Sequence, residues 1–186
     1  MASLAFAVSA IVAAQIPERA QWEITFSQVE AAAGLSDIRT VPAESLEARV
    51  MARSWAPVVP MTPVPFLRLF RADGTVRAQL FVYWAPPLSP ARPAAAIDSC
   101  RDGICVRPID IKEQRDWKDL LATLTRQDAC PTQTSETLMV CSDCDQLWIK
   151  TTAGGKYREQ SCQQPAPDTS AGALLLLMKT AAQAAR

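Results

Sequence analysis

Residues 66–84, F-L-R-L-F-R-A-D-G-T-V-R-A-Q-L-F-V-Y-W, decide the fold. Two alternating runs flank Asp73-Gly74, and Asp-Gly supplies the positive φ angles that a two-residue type I′ hairpin turn requires. With that pair at the tip, Ala72 faces Thr75, Phe70 faces Arg77, Arg68 faces Gln79 and Phe66 faces Phe81. Side chains alternate between the faces of a strand. One side of the hairpin therefore carries Leu67, Leu69, Val76, Ala78, Leu80 and Val82, an aliphatic core face. The other carries Phe66, Phe70, Phe81 and Tyr83, interleaved with Arg68 and Arg77.

Outward from the hairpin the alternation continues. In 44–55, Leu46, Ala48, Val50 and Ala52 share one face of a strand and Glu47, Arg49, Met51 and Arg53 the other. Trp22, Ile24 and Phe26 alternate as well and predict a strand, followed by a short helix that opens on the capping-box spacing of Ser27 and Glu30 and stops at Gly34. Prolines at 57–65 and 86–93 interrupt regular structure. Strands are expected at 137–141, 146–152 and 156–162, the last two closing as a hairpin on Gly154-Gly155. Residues 113–126 read as a helix, with Trp117, Leu120, Leu121 and Leu124 on one stripe. Thr169 or Ser170 caps a final helix. The sum is an α+β fold: an antiparallel sheet of about six strands built from hairpins, packed with two main helices.

Residues 1–14, M-A-S-L-A-F-A-V-S-A-I-V-A-A, form an apolar leader with small residues at Val12 and Ala14, the pattern of a signal peptide cleaved before Gln15. Residues 15–186 then constitute a single domain, periplasmic or secreted. Neither the leader nor the apolar run at 173–178 is long enough to span a bilayer. Nineteen basic and nineteen acidic residues cancel, which argues against a nucleic-acid partner and against steering by anionic lipids. Arg outnumbers Lys fourteen to five beside abundant Ala and Pro, a composition typical of GC-rich bacterial genomes.

The second half, with W-K-D-L-L-A-T-L from Trp117, C-D-Q-L-W-I-K from Cys144, G-G-K-Y-R-E from Gly154 and a small-residue-rich final helix, resembles a group of uncharacterised exported bacterial proteins. The resemblance implies an exported α+β protein and carries no activity.

Six cysteines in an exported chain imply disulfides. Asp102-Gly103 lies between Cys100 and Cys105 and turns one toward the other. In the second hairpin Cys162 falls opposite Leu147, where either Cys141 or Cys144 can reach it; the preferred bridges are Cys144–Cys162 and Cys130–Cys141. Two sharper readings compete. Cys141 and Cys144, in C-S-D-C, have the spacing of a thiol–disulfide pair, but Asp143 and Asp145 disfavour a thiolate there. Cys130, Cys141, Cys144 and Cys162 together offer a weakly spaced zinc set; no metal or other cofactor is expected.

The absence of histidine removes the Ser-His-Asp and Cys-His constellations and the commonest general base. Asp98 with Asp102, or Asp143 with Asp145, sits in turns where a solvated carboxylate needs no further role. Enzyme activity is therefore the minority reading. The candidate binding face is the set Phe66, Arg68, Phe70, Arg77, Phe81 and Tyr83, suited to a protein, peptide or saccharide partner, since aromatics and arginine dominate interface hot spots. Its competing reading is a buried sheet face covered by a helix. The expectation is an exported, non-enzymatic binding or structural module of the cell envelope; the alternative is a periplasmic thiol–disulfide protein acting through Cys141 and Cys144.

Overall fold

Asp73 and Gly74 adopt φ of 51° and 75°, and the runs around them form β2 (Val64–Ala72) and β3 (Thr75–Trp84). Their register pairs Ala72 with Thr75, Phe70 with Arg77, Arg68 with Gln79 and Phe66 with Phe81, as the turn dictates. The computed structural model describes residues 18–54, 64–84, 99–111, 117–126, 130, 145–163 and 165–184.

On one side of this hairpin lies β1 (Leu46–Ser54), antiparallel to β2. On the other, β5 (Ile104–Ile109) pairs with β3, and the short β4 (Ser99–Arg101) pairs with β5. The chain then returns through α2 (Trp117–Arg126) to lay β6 (Asp145–Ala153) along the free edge of β1, and β7 (Lys156–Gln163) follows by a hairpin at Gly154-Gly155. The result is one antiparallel sheet of seven strands in the order β4-β5-β3-β2-β1-β6-β7. Seven strands stand where about six were expected: the Cys100–Cys105 stretch forms a small hairpin and adds both β4 and β5, while the stretch read as a strand at Trp22–Phe26 is helical. The strand predicted at 137–141 lies outside the described residues.

Both faces of the sheet are covered. Leu67, Leu69, Leu80, Ala48, Val50, Leu147 and Ile149 pack beneath Leu121 and Leu124 of α2 and Leu174 and Met178 of α3 (Ser170–Ala184). Thr169 caps α3, its hydroxyl oxygen accepting the Gly172 N–H at 3.0 Å. The opposite face, with Met51, Phe66, Tyr83, Val106 and Trp148, meets Phe26, Val29 and Ala32 of α1 (Glu18–Ala32). Among the described residues no helix is long and apolar enough to cross a membrane.

The first helix corrects the sequence reading, which placed a strand on Trp22, Ile24 and Phe26 and counted two main helices rather than three. A five-residue alternation is too short to exclude a helix, whereas Phe26, Val29 and Ala32 recur at helical spacing and share one buried face. The expected stop at Gly34 holds. Gly34 has φ 72°, and Leu35 N–H to Glu30 O (2.8 Å) with Gly34 N–H to Ala31 O (3.1 Å) close the Schellman pattern. Pro65, read as part of a proline connection, instead joins β2 opposite Val82.

The face assignment is open to a direct check. Leu69 is completely buried, and Leu69→Ala is expected to cost about 2 to 5 kcal/mol as a large-to-small core change. Arg77 is exposed, and Arg77→Ala should cost far less. Similar losses for the two variants in denaturant melts would contradict the assignment.

Candidate functional site

Registers of five strands fix which charged side chains meet. Reading across the sheet on the α1 side, Gln79 of β3, Arg68 of β2, Arg49 of β1, Lys150 of β6 and Glu159 of β7 stand directly opposite one another in turn. The neighbouring row runs Arg77, Phe70, Glu47, Thr152 and Tyr157. Three cations therefore stand abreast, and like charges directly opposite in a sheet are destabilising. Arg49 is only 1% exposed and Lys150 6%, so solvent screens them little.

Two carboxylates compensate. Glu47, in the adjacent row, accepts from Arg49 Nε at 2.6 Å and holds Arg68 in a fork, Nε at 2.8 Å and Nη2 at 2.9 Å. Glu30 arrives from α1 and accepts from Arg49 Nη1 at 2.6 Å, and the same nitrogen donates to the Ser36 carbonyl at 2.6 Å. Charge-assisted and forked geometries of this kind are the strong end of protein hydrogen bonding. Aromatic faces take up the rest: the Arg68 guanidinium lies 4.1 Å from the centre of the Phe70 ring, and Lys150 Nζ lies 4.1 Å from that of Phe26.

Titration follows from this packing. Burial pushes the Glu30 carboxyl above its ordinary value, with the Arg49 charge pulling the other way. Burial acts on Glu47 in the same sense, but the hydrogen bonds from Arg68 and the charge of Arg49 outweigh it and hold that carboxyl low. Lys150 is lowered by burial against the attraction of Glu30 and Glu159. Tyr157, which donates to Glu159 Oε2 at 2.8 Å, is raised by burial and by that bond. Outside the row, Asp37 is held low by the Arg39 guanidinium, which donates to its carboxylate.

The row ties three pieces of chain together: α1 through Glu30, the segment after it through Ser36, and strands β1 and β2. Sequence reading missed it. Alternation alone puts Glu47 and Arg49 on the polar face of β1, whose default is solvent. The available signal was Met51 on that same face, and Trp148 beside Lys150 on the matching face of β6.

The predicted binding face is split by α1. Phe66 is fully buried, in edge contact with Phe26 at 5.5 Å, and lies 6.0 Å from Phe81. Tyr83 is also buried. Phe70 and Phe81 are half-buried, Arg68 is committed to Glu47, and Arg77 is exposed beside Asp73 at 3.2 Å. The open part is thus the tip-proximal end of the hairpin, around Phe70 and Arg77.

Cys100 and Cys105 are bridged as expected. The second bridge corrects the preferred pairing of Cys144 with Cys162 and Cys130 with Cys141: Cys130 is joined to Cys162, with Cα atoms 5.1 Å apart. The reason is the position of α2. It packs on the sheet face from which Cys162 projects, and Cys130, which follows it in the chain, packs into the same apolar cluster. This bridge also removes two of the four ligands from the zinc set. Cys141 and Cys144 lie outside the described residues. Among the described residues no group of three or more Cys, His, Asp or Glu is placed to hold a metal ion. Comparison with family models, curated proteins and solved structures finds no match to the chain.

Proposed function

We propose that this chain is an exported, non-enzymatic module of the cell envelope, with a binding or structural role. The observation that carries the reading is the mutual neutralisation of Glu30, Arg49, Glu47 and Arg68, whose side-chain contacts all run within the fold. Acids and bases so committed serve the architecture, and the side chains left for a partner are Phe70 and Arg77 at the open end of the hairpin. Two disulfides suit an oxidising compartment.

The reading is tested by co-sedimentation with cell-envelope material of the native host. Wild type is expected to sediment with that fraction, and the double variant Phe70→Ala, Arg77→Ala to lose the association while keeping the circular dichroism spectrum of the folded protein. N-terminal sequencing of the same material should begin at Gln15. Cytoplasmic protein with Met1 intact would contradict export, and a double variant that sediments like wild type would remove the hairpin face from the role.

One observation favours the rival thiol–disulfide reading. With Cys130 bonded to Cys162, Cys141 and Cys144 have only each other as partners among the six cysteines. Asp145, one of the acids that disfavour a thiolate there, is also ion-paired with Lys179. Catalysed insulin reduction that disappears in Cys141→Ser would establish that reading in place of the first.

A further inference from the structure

We propose that the Cys100–Cys105 bridge is a thiol–disulfide exchange site whose partner is a dithiol, distinct in place and role from the Cys130–Cys162 crosslink. Its two cysteines are direct cross-strand partners on β4 and β5, at the edge of the sheet. The turn between them, Asp102-Gly103 with φ of 49° and 77°, closes the hairpin by itself. The bridge therefore restrains little that the turn does not: it spans a sequence separation of 5, against 32 for Cys130–Cys162, and the restraint a disulfide places on the unfolded chain grows with the loop it closes. Access differs too. Each bridge has a buried member, Cys105 and Cys162, but the other cysteine is exposed in this bridge, Cys100, and half-buried in the second, Cys130.

The surroundings suit exchange. Cys105 is 4% exposed, and its cross-strand partner on β3 is Trp84. Arg107, two residues along β5 and hence on the same face, holds its guanidinium 5.2 Å from the centre of the Trp84 ring. An incoming thiolate attacks the accessible Cys100 Sγ and forms a mixed disulfide. The Sγ–Sγ bond breaks, and Cys105 leaves as a thiolate favoured by the nearby Arg107 cation, then takes a proton from water. The second thiol of the dithiol displaces Cys100 as a thiol. Two electrons have then passed to the bridge, and the dithiol has become a disulfide. Reduction leaves β4 held to β5 by the Asp102-Gly103 turn and three residue pairs, so the fold persists while the edge of the sheet loosens. This inference is independent of the binding role proposed above.

The test uses dithiothreitol as the dithiol on the native full chain, with timed alkylation, peptide mass mapping and tryptophan fluorescence. The Cys100–Cys105 bridge is expected to open about tenfold or more faster than Cys130–Cys162, with far-UV circular dichroism retained and the β4–β5 amides exchanging faster. Arg107→Gln should slow that opening about threefold through a less stabilised leaving thiolate. Opening of Cys130–Cys162 first, or opening of both bridges only together with loss of the circular dichroism signal, would overturn the proposal. An unchanged rate in Arg107→Gln would overturn the part assigned to that residue.

Discussion

Arg49→Met is expected to destabilise the protein by about 3 to 5 kcal/mol, the cost of breaking a buried pair by removing one partner, or about 10 °C in Tm for a domain of this size. Methionine keeps much of the arginine volume, so the loss reports charge rather than a cavity. Glu47 retains its fork with Arg68, but Glu30 is left buried without the cation that contacts it. The deficit should depend on pH. A carboxyl raised in the folded state favours folding when protonated, and that contribution is lost as pH rises through the folded value. Glu30 is of this kind, already raised from 4.5 in the wild type, and it is raised further without Arg49. The Arg49→Met deficit should therefore be largest at neutral pH and shrink toward about pH 4. Glu47 has the opposite sign: its lowered carboxyl contributes stability above its ordinary value that disappears as pH falls through the folded one. Wild type should thus lose the Glu47 contribution in acid while the variant regains part of its Glu30 loss. Melts across pH check both signs, and a deficit that grows on acidification would contradict them.

The second large effect belongs to the crosslink between α2 and β7. Replacing Cys130 and Cys162 together by alanine should cost about 3 to 4 kcal/mol from the loop that the bridge closes. Cys162 also packs in the aliphatic core with Leu147 and Leu174. Replacing Cys100 and Cys105 together should cost clearly less, because their loop is short and turn-closed. Thermal melts of the two double variants compare these directly. An equal loss would show that the cysteines at 130 and 162 do not restrain the chain as described.

Much of the local architecture was legible because it depends on residues near one another in the chain. Asp73-Gly74 set the β2–β3 register, Gly154-Gly155 placed Cys162 opposite Leu147, and Asp102-Gly103 brought Cys100 to Cys105. What escaped depends on pairing over long separations. Arg49 neighbours Arg68 and Lys150 only because β1 lies between β2 and β6, and no local pattern reports that order. Nor does the alternation in β1 say that a helix will cover its charged face. The same gap explains α1: Phe26 alternates with Ile24 and Trp22 as in a strand, and it is the aromatic and charged surface of the sheet that gives the helix its partner. The Cys130–Cys162 bridge is likewise set by where α2 packs, which the cysteine spacing does not reveal.

The central claim is that Glu30 of α1 is locked to the sheet through Arg49. A double-mutant cycle with Glu30→Gln and Arg49→Met, read by denaturant unfolding at neutral pH, tests it most directly. The buried contact predicts a coupling energy of about 1 kcal/mol or more between the two positions. Additive effects, with a coupling indistinguishable from zero, would contradict the lock and with it the placement of α1 over the charged row.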